Sequence, residues 1–222
     1  MNIEAITDFT SYVDKEILPA TKELEKLEDK HRKHLQKLVY TNLVNRFDAM
    51  VDAAILGNCK EGSLLEKAIK PMGDNITEGQ MLKLLMDAGT IQDVIEERLR
   101  ESLSNSILRE RHSKKLSALF DVMSEDSAVW THPRVNVSTG NILEKCKVNN
   151  KSIPHSICGY ADWIYSRRNA LVHGAGSSSI LANDVEQIKK LFKVDVKPQI
   201  RLKVGSINNT AKFYKQVAEM MS

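Results

Sequence analysis

The spacing of apolar residues is the feature of this sequence that most restricts its fold. Over most of the 222 residues, apolar side chains recur every three or four positions, which places them along one side of an α-helix. The alternation typical of a half-buried strand is clear only in residues 199–204. The sequence therefore predicts an all-α fold: a helical bundle with short inserted elements and at most one short strand or hairpin.

Capping residues and helix breakers divide this pattern into separate helices. Pro19, Gly57, Thr90, Pro154 and Gly174 lie where helices are expected to begin or end. The predicted core helices cover about residues 20–57, 90–122, 153–174 and 183–194. Shorter helices are expected over residues 3–18, from Ser138 or Thr139 to Cys146, and over residues 206–221. Because no internal repeat divides the chain, residues 1–222 are predicted to form a single helical domain.

Positive charge is concentrated in two segments, although the formal net charge of +3 is too small to indicate a nucleic-acid partner by itself. Between Lys189 and Lys215, eight lysines or arginines are accompanied by one acid, Asp195. Between Arg98 and Lys115, six basic residues are accompanied by two acids. Such runs usually form solvated faces, but beside a phosphate-binding helix they would also attract RNA.

The cysteines and the hydropathy of the chain indicate a cytoplasmic location. Cys59, Cys146 and Cys158 form no CxxC pair, which favours a reducing compartment. Cys146, His155 and Cys158 could supply three zinc ligands, but their spacing fits no zinc ribbon or finger, so neither a metal nor a cofactor is predicted. The N-terminus has no apolar leader segment, and no run approaches the ~20 apolar residues that cross a bilayer. We therefore expect no membrane partner.

Side chains that can bind a phosphate or transfer a proton occur close together at the end of the predicted helix 153–174. They are Arg168, Asn169 and His173. Arginine can hold a phosphate through two parallel N–H donors, and histidine can exchange protons near neutral pH. Asn169 precedes His173 by four residues, so its amide is expected to orient the imidazole. Helical periodicity places Arg168 in the apolar stripe of this helix, where its charge would need an anionic or acceptor partner.

Arg168 and His173 do not point in the same direction on an ideal helix, because five residues correspond to about 140° around the axis. Either the helix end distorts at Gly174, or residues from two protomers meet across a dimer axis. In a purely structural interpretation, Arg168 pairs with an acid such as Asp48, Asp52 or Asp162. His112 lies among charged residues and is predicted to be on the surface.

The segment Arg168-Asn169-Ala170-Leu171-Val172-His173 resembles the R-N-x-x-x-H signature of the HEPN superfamily. Members are small helical-bundle proteins, many of them metal-independent ribonucleases of prokaryotic toxin–antitoxin, abortive-infection and CRISPR-linked defence systems. The resemblance covers about Pro154 to Gly176 and implies a homodimer in which Arg168 and His173 are catalytic. Asn169 matches the polar residue that usually follows the arginine. A tyrosine often stands two residues after the histidine; here that residue is Ala175, so modification of such a tyrosine by a nucleotidyltransferase antitoxin is not expected.

Two functions are expected as alternatives. The first is a HEPN-type endoribonuclease that cleaves RNA by attack of a 2′-hydroxyl, with an antitoxin or another defence-system protein as a partner. The second is a non-catalytic helical module that dimerises and binds RNA or protein. The residues expected to bind RNA around the motif are Arg167, Lys189, Lys190 and Lys193.

Overall fold

The computed structural model describes residues 3–72, 77–87, 90–124, 126–148, 150–173, 182–196 and 202–222. These parts of the chain contain ten α-helices and one hairpin, which confirms the predicted all-α fold with short inserted elements. The helices are α1 (Ile3–Tyr12), α2 (Leu18–Leu24), α3 (Asp29–Gly57), α4 (Gly62–Ile69), α5 (Glu78–Asp87), α6 (Ile91–Asn105), α7 (His112–Met123), α8 (Ile157–His173), α9 (Ala182–Phe192) and α10 (Val204–Met220). The strands are β1 (Val135–Asn136) and β2 (Asn141–Ile142), and they pair in antiparallel register.

The second half of α3 lies at the centre of the hydrophobic core. Its Tyr40, Leu43 and Phe47 are fully buried. The ring of Phe47 stacks on Tyr214 of α10, with 3.7 Å between the ring centroids, and meets Phe9 of α1 edge-on at 5.5 Å. Aromatic side chains bury large apolar areas, so these contacts join the two ends of the chain to α3.

Helix α8 is covered on several sides, and this determines what its polar residues must do. It packs against α3, α7 and α9, and its Tyr160 meets Phe213 of α10 edge-on at 4.8 Å. Asp162, Ser166 and Arg167 are buried together with the apolar residues of this helix. A helix enclosed in this way has no single apolar stripe, so periodicity alone does not identify its exposed residues.

Two of the predicted core helices are in fact interrupted. The predicted helix 20–57 consists of α2 and α3, separated at residues 25–28, where the highly charged sequence has no apolar side to bury. The predicted helix 90–122 consists of α6 and α7, separated by a 3-10 turn at Ile107–Arg109. Before α7, Arg111 adopts an extended backbone (φ −63°, ψ 153°), and its side chain binds Asp162.

The predicted short helix from Ser138 or Thr139 to Cys146 is wrong, because this segment contains the hairpin. Gly140 has a φ of 76°, and a Cβ atom there would lie 2.0 Å from the backbone oxygen of Asn209 in α10. The tight packing of the hairpin against α10 therefore requires glycine at this position. The predicted helix 3–18 consists of α1 and a π-helical segment, Val13–Ile17, that joins α1 to α2. The remaining predicted helices agree with the structure to within a few residues. Gly174 and residues 199–201 of the alternating stretch lie outside the described residues, and Val204 begins α10.

In the described parts of the chain, none of the helices is both long enough and apolar enough to cross a membrane.

Candidate active site

Arg168 lies at the surface of α8, where two side-chain amides hold its guanidinium group. Its Nε donates to Oδ1 of Asn45 in α3 over 2.8 Å, and its Nη1 donates to Oδ1 of Asn169 over 3.0 Å. The guanidinium carbon is 5.7 Å from the ring centroid of Tyr165. The partners of Arg168 among the described residues are therefore neutral, and Nη2 has no hydrogen-bond partner there. A partly exposed arginine held in this way can accept an anionic ligand.

The buried arginine of α8 is Arg167 and not Arg168, contrary to the expectation from helical periodicity. Arg167 is only 5% exposed. Its guanidinium carbon lies 4.4 Å from the ring centroid of Trp163 and 5.5 Å from that of Tyr40. Burial raises the pKa of Tyr40, and the positive charge of Arg167 partly opposes this rise. The structure therefore places Arg167 in the interior, apart from the lysines with which it was expected to bind RNA.

His173 is the last residue of α8, and its side chain is exposed. The amide oxygen of Asn169, which was expected to orient the imidazole, accepts a hydrogen bond from Arg168 instead. Within the described parts of the chain, the imidazole of His173 has no hydrogen-bond partner. Because α8 remains helical from Arg168 to His173, the two side chains are about 140° apart around the axis.

The three predicted RNA-binding lysines lie at the C-terminal end of α9, and all are exposed. Lys189 pairs with Asp195 at 2.8 Å, and Lys190 pairs with Glu186 at 3.0 Å. These are surface pairs, which contribute little to stability and leave the ammonium groups accessible. Lys193 follows the helix with a φ of 55° and forms no ion pair among the described residues.

A second polar cluster lies in the contact between α3 and α7, close to Arg168. Its members are Asp48, Asp52, His112 and Lys115. The prediction that His112 lies on the surface is wrong, because it is 2% exposed and its Nε2 lies 2.7 Å from Oδ1 of Asp48. Lys115 donates to Asp48 over 2.9 Å and to Asp52 over 2.7 Å. The acids proposed as partners of Arg168 are thus bound to α7.

Tyr165 joins this cluster to the arginine. Its ring centroid is 4.3 Å from that of His112, and the guanidinium of Arg168 lies near the same ring. Asn45 and Asp48 are one turn apart on α3 and lie on the same side of the helix. A continuous polar strip therefore runs along the α3–α8 contact, from Asn169 through Arg168 and Asn45 to the cluster.

Burial and pairing act in opposite directions on the carboxyl groups of this cluster. Burial alone would raise the pKa of Asp48, but the hydrogen bonds and positive charges of His112 and Lys115 hold it well below its usual range. Burial raises the pKa of Asp52, against the opposing effect of Lys115. The pKa of Lys115 is raised because its pairing with Asp52 and Asp48 outweighs its burial.

The lowered pKa of Asp48 predicts a loss of stability in acid, whereas the raised pKa of Asp52 acts in the opposite direction. A carboxyl group whose pKa is lowered by folding stabilises the protein above its unfolded-state pKa, and this contribution disappears as the pH falls. As the pH is lowered from about 4, we expect the free energy of unfolding of the wild type to decrease. The decrease should be less steep in Asp48→Asn. Chemical denaturation at a series of pH values measures this slope. Asp14→Asn, which removes an exposed acid paired with Lys215, should retain the wild-type slope.

A third cluster caps α7 and fixes the position of α8. Asp162 accepts hydrogen bonds from the backbone N–H of Ser113 at 2.9 Å, from the Ser113 hydroxyl at 2.8 Å and from Nε of Arg111 at 2.9 Å. Arg111 also contacts Asp184 of α9 at 3.3 Å. The carboxylate at the N-terminus of α7 interacts favourably with the helix dipole, so this cluster stabilises the arrangement of α7, α8 and α9.

The candidate zinc ligands do not form a metal site in the described residues. Both ring nitrogens of His155 lie 3.0 Å from backbone carbonyl oxygens, those of Val135 and Asn150. Burial raises the pKa of the Cys158 thiol, which disfavours the thiolate that a metal would need. No group of three or more His, Cys, Asp or Glu residues suited to a metal ion is present in these parts of the chain.

Comparison of the chain with protein-family models, with curated proteins and with solved structures finds no match. Sequence reasoning did not identify Asn45, although it lies one turn before Asp48 on α3. The acids Asp48 and Asp52 and the basic run containing Arg111 and Lys115 are visible as patterns, but their pairing depends on the tertiary packing of α3 on α7.

Proposed function

We propose that the protein is a metal-independent endoribonuclease of the HEPN type that acts as a homodimer in a prokaryotic defence or toxin–antitoxin system. The observation that carries this proposal is the environment of Arg168. Two amides orient its guanidinium at the surface, and Nη2 is left without a partner among the described residues. An exposed histidine follows five residues later on the same helix. An enzyme of this kind acts on cytoplasmic RNA and requires an antitoxin or another defence-system partner to restrain it.

The proposed reaction uses the 2′-hydroxyl of the RNA as the nucleophile. The imidazole of His173 accepts the 2′-hydroxyl proton while the 2′-oxygen forms a bond to phosphorus. The bond between phosphorus and the 5′-oxygen breaks, and the imidazolium of His173 formed in this way donates its proton to that oxygen. Arg168 binds the non-bridging phosphate oxygens and stabilises the charge that grows on them. The products are a 2′,3′-cyclic phosphate and a 5′-hydroxyl.

A dimer allows an arginine and a histidine to reach the same phosphate although Arg168 and His173 point in different directions on one helix. One protomer can supply Arg168 and the other His173. Exposed apolar residues beside Arg168 support such an interface. Leu35 and Leu38 of α3 are 38% and 54% exposed, and Val172 of α8 is 45% exposed. Leu38 lies two turns before Asn45 on α3, and Val172 lies one turn after Arg168 on α8.

The continuous helix between Arg168 and His173 also supports the alternative function, a non-catalytic module that binds RNA or protein. A single protomer holds the two side chains too far apart in direction to act on one phosphate. A monomeric mass in solution would therefore argue against the composite site and so against the enzyme, for which a dimeric mass is expected. Analytical ultracentrifugation measures this directly.

The direct test of the enzyme is cleavage of single-stranded RNA in the presence of EDTA. We expect the wild type to cleave RNA under these conditions and to release fragments with 2′,3′-cyclic phosphate and 5′-hydroxyl ends, because no step uses a metal-bound water. Mass spectrometry of the fragments identifies the ends. Cleavage that requires added Mg²⁺, or fragments with 3′-hydroxyl and 5′-phosphate ends, would contradict the mechanism.

A further inference from the structure

A cavity of about 470 Å³ lies at the end of α8 opposite the candidate active site. Its walls come from the last turn of α9 and the residues after it, from the segment before α8 and from residues 130–133, which precede the hairpin. This volume is within the range of small-molecule sites. Twelve residues separate Ser156, in its wall, from Arg168, which corresponds to about 18 Å along the helix axis.

Two aromatic rings form one wall of the cavity. The ring centroids of Trp130 and Phe192 are 5.4 Å apart, and both rings are partly exposed. The ammonium of Lys114 lies 4.7 Å from the centroid of the Trp130 ring, so a cation–π contact orients the indole. Ile153 and Pro154 add apolar surface. A wall of this kind suits a flat aromatic ligand, because stacking on the rings is largely independent of substituents.

The charged residues at the mouth of the cavity favour an anion. Lys151 and Lys193 line it and are exposed, and neither forms an ion pair among the described residues. Asp195 is the acid in the cavity lining, and Lys189 neutralises it at 2.8 Å. Ser156, directly before α8, and the last turn of α9 both line the cavity, so the opposite dipole ends of the two helices offset each other. The two lysines therefore determine the sign of the local charge.

We propose that this cavity is a nucleotide-binding site, in which the base stacks on Trp130 and Phe192 and the phosphate binds Lys151 and Lys193. Oδ1 of Asn150, in the same wall, accepts a hydrogen bond from the Ser152 N–H over 2.8 Å, so its Nδ2 is the group that can donate to the edge of the base. The shared chemistry is an aromatic base with an attached phosphate, which either a free nucleotide or an unpaired nucleotide of RNA supplies. This site goes beyond the proposed ribonuclease activity and does not depend on it, because binding here requires neither Arg168 nor His173.

The backbone conformation of Lys193 allows a substitution that removes its charge without straining the fold. At a φ of 55°, a lysine is strained whereas a glycine is not. Lys193→Gly therefore removes the ammonium group without destabilising the fold. Lys190→Gly is unsuitable as a control because Lys190 lies inside α9, where glycine weakens a helix. Lys190→Ala is the matched control, since it removes an equal charge three residues away, outside the cavity lining.

The experiment is calorimetric titration of the full chain with AMP, adenosine and inorganic phosphate. We expect saturable binding of AMP and binding weaker by about tenfold for adenosine or phosphate alone. Lys193→Gly and Trp130→Ala should each weaken AMP binding by about tenfold, and Lys190→Ala should leave it unchanged. An absence of saturable AMP binding up to about 10 mM would overturn the proposal, as would AMP binding that neither variant alters.

Titration with a single-stranded oligonucleotide, compared with AMP, distinguishes the source of the nucleotide. If RNA occupies the site, a single-stranded oligonucleotide binds the His173→Ala variant more tightly than AMP does, and Lys193→Gly weakens both ligands. If a free nucleotide occupies it, AMP binds at least as tightly as the oligonucleotide. Both outcomes support the site. Failure of the cleavage assay leaves these titrations interpretable, because they measure binding alone.

Discussion

Replacing His173 with alanine is expected to slow RNA cleavage by about a hundred- to ten-thousandfold, which is the usual contribution of a general acid or base. Arg168→Ala should cause a loss of about a hundred- to a thousandfold, because it removes the group that stabilises the charged phosphate. Initial rates on a fluorescently labelled single-stranded RNA, measured in EDTA, give both values. His173→Ala should change the free energy of unfolding by no more than about 0.5 kcal/mol because its side chain is exposed, whereas Arg168→Ala should cost about 1–2 kcal/mol because a half-buried guanidinium loses two hydrogen bonds.

The matched control for the histidine is His132→Ala, because the side chain of His132 is also exposed. This variant should cleave RNA at the wild-type rate. If His173→Ala keeps the wild-type rate, or if His132→Ala loses as much activity as His173→Ala, the assignment of the catalytic histidine is wrong.

Asp162→Ala is expected to destabilise the protein by about 3 kcal/mol or more. Asp162 is fully buried and accepts three hydrogen bonds, two from Ser113 and one from Arg111. Its removal leaves a partly buried guanidinium and the first turn of α7 without their acceptor, which is the costly way to break a buried ion pair. Urea denaturation followed by circular dichroism measures the free energy of unfolding.

Asp184→Ala provides the comparison, since it removes the other carboxylate that binds Arg111. Asp184 is more exposed and lies 3.3 Å from the guanidinium, so its loss should cost about 1 kcal/mol or less. Equal destabilisation by the two substitutions would contradict the view that the capping of α7 by Asp162 determines the position of α8.

The long helices could be predicted because their signals are local. Apolar spacing and capping residues identified the second half of α3 and the helices α8, α9 and α10 to within a few residues. The interruption at residues 25–28 and the hairpin at Val135–Ile142 could not be predicted in this way. Gly140 adopts its conformation because α10 packs against it, and that contact joins residues far apart in the chain.

The candidate site shows the same division between local and tertiary information. Arg168, Asn169 and His173 are recognisable from their sequence pattern. The exposure of these side chains cannot be recognised from the sequence, because α8 is covered by several helices. Its periodicity does not show that Arg167 is buried and Arg168 partly exposed. The burial of His112 depends on Asp48, which is 64 residues away in the chain. The sequence therefore indicates a solvated face for the basic run between Arg98 and Lys115, although Lys115 is in fact buried and paired with Asp48 and Asp52.

The most direct test of the composite site is a mixing experiment with the two inactive variants Arg168→Ala and His173→Ala. Random exchange of equal amounts makes about half of the dimers mixed, and each mixed dimer has one intact site if the arginine and the histidine come from different protomers. We therefore expect the mixture to regain about a quarter of the wild-type cleavage rate. A mixture that exchanges subunits and remains as inactive as either variant alone would contradict the composite site.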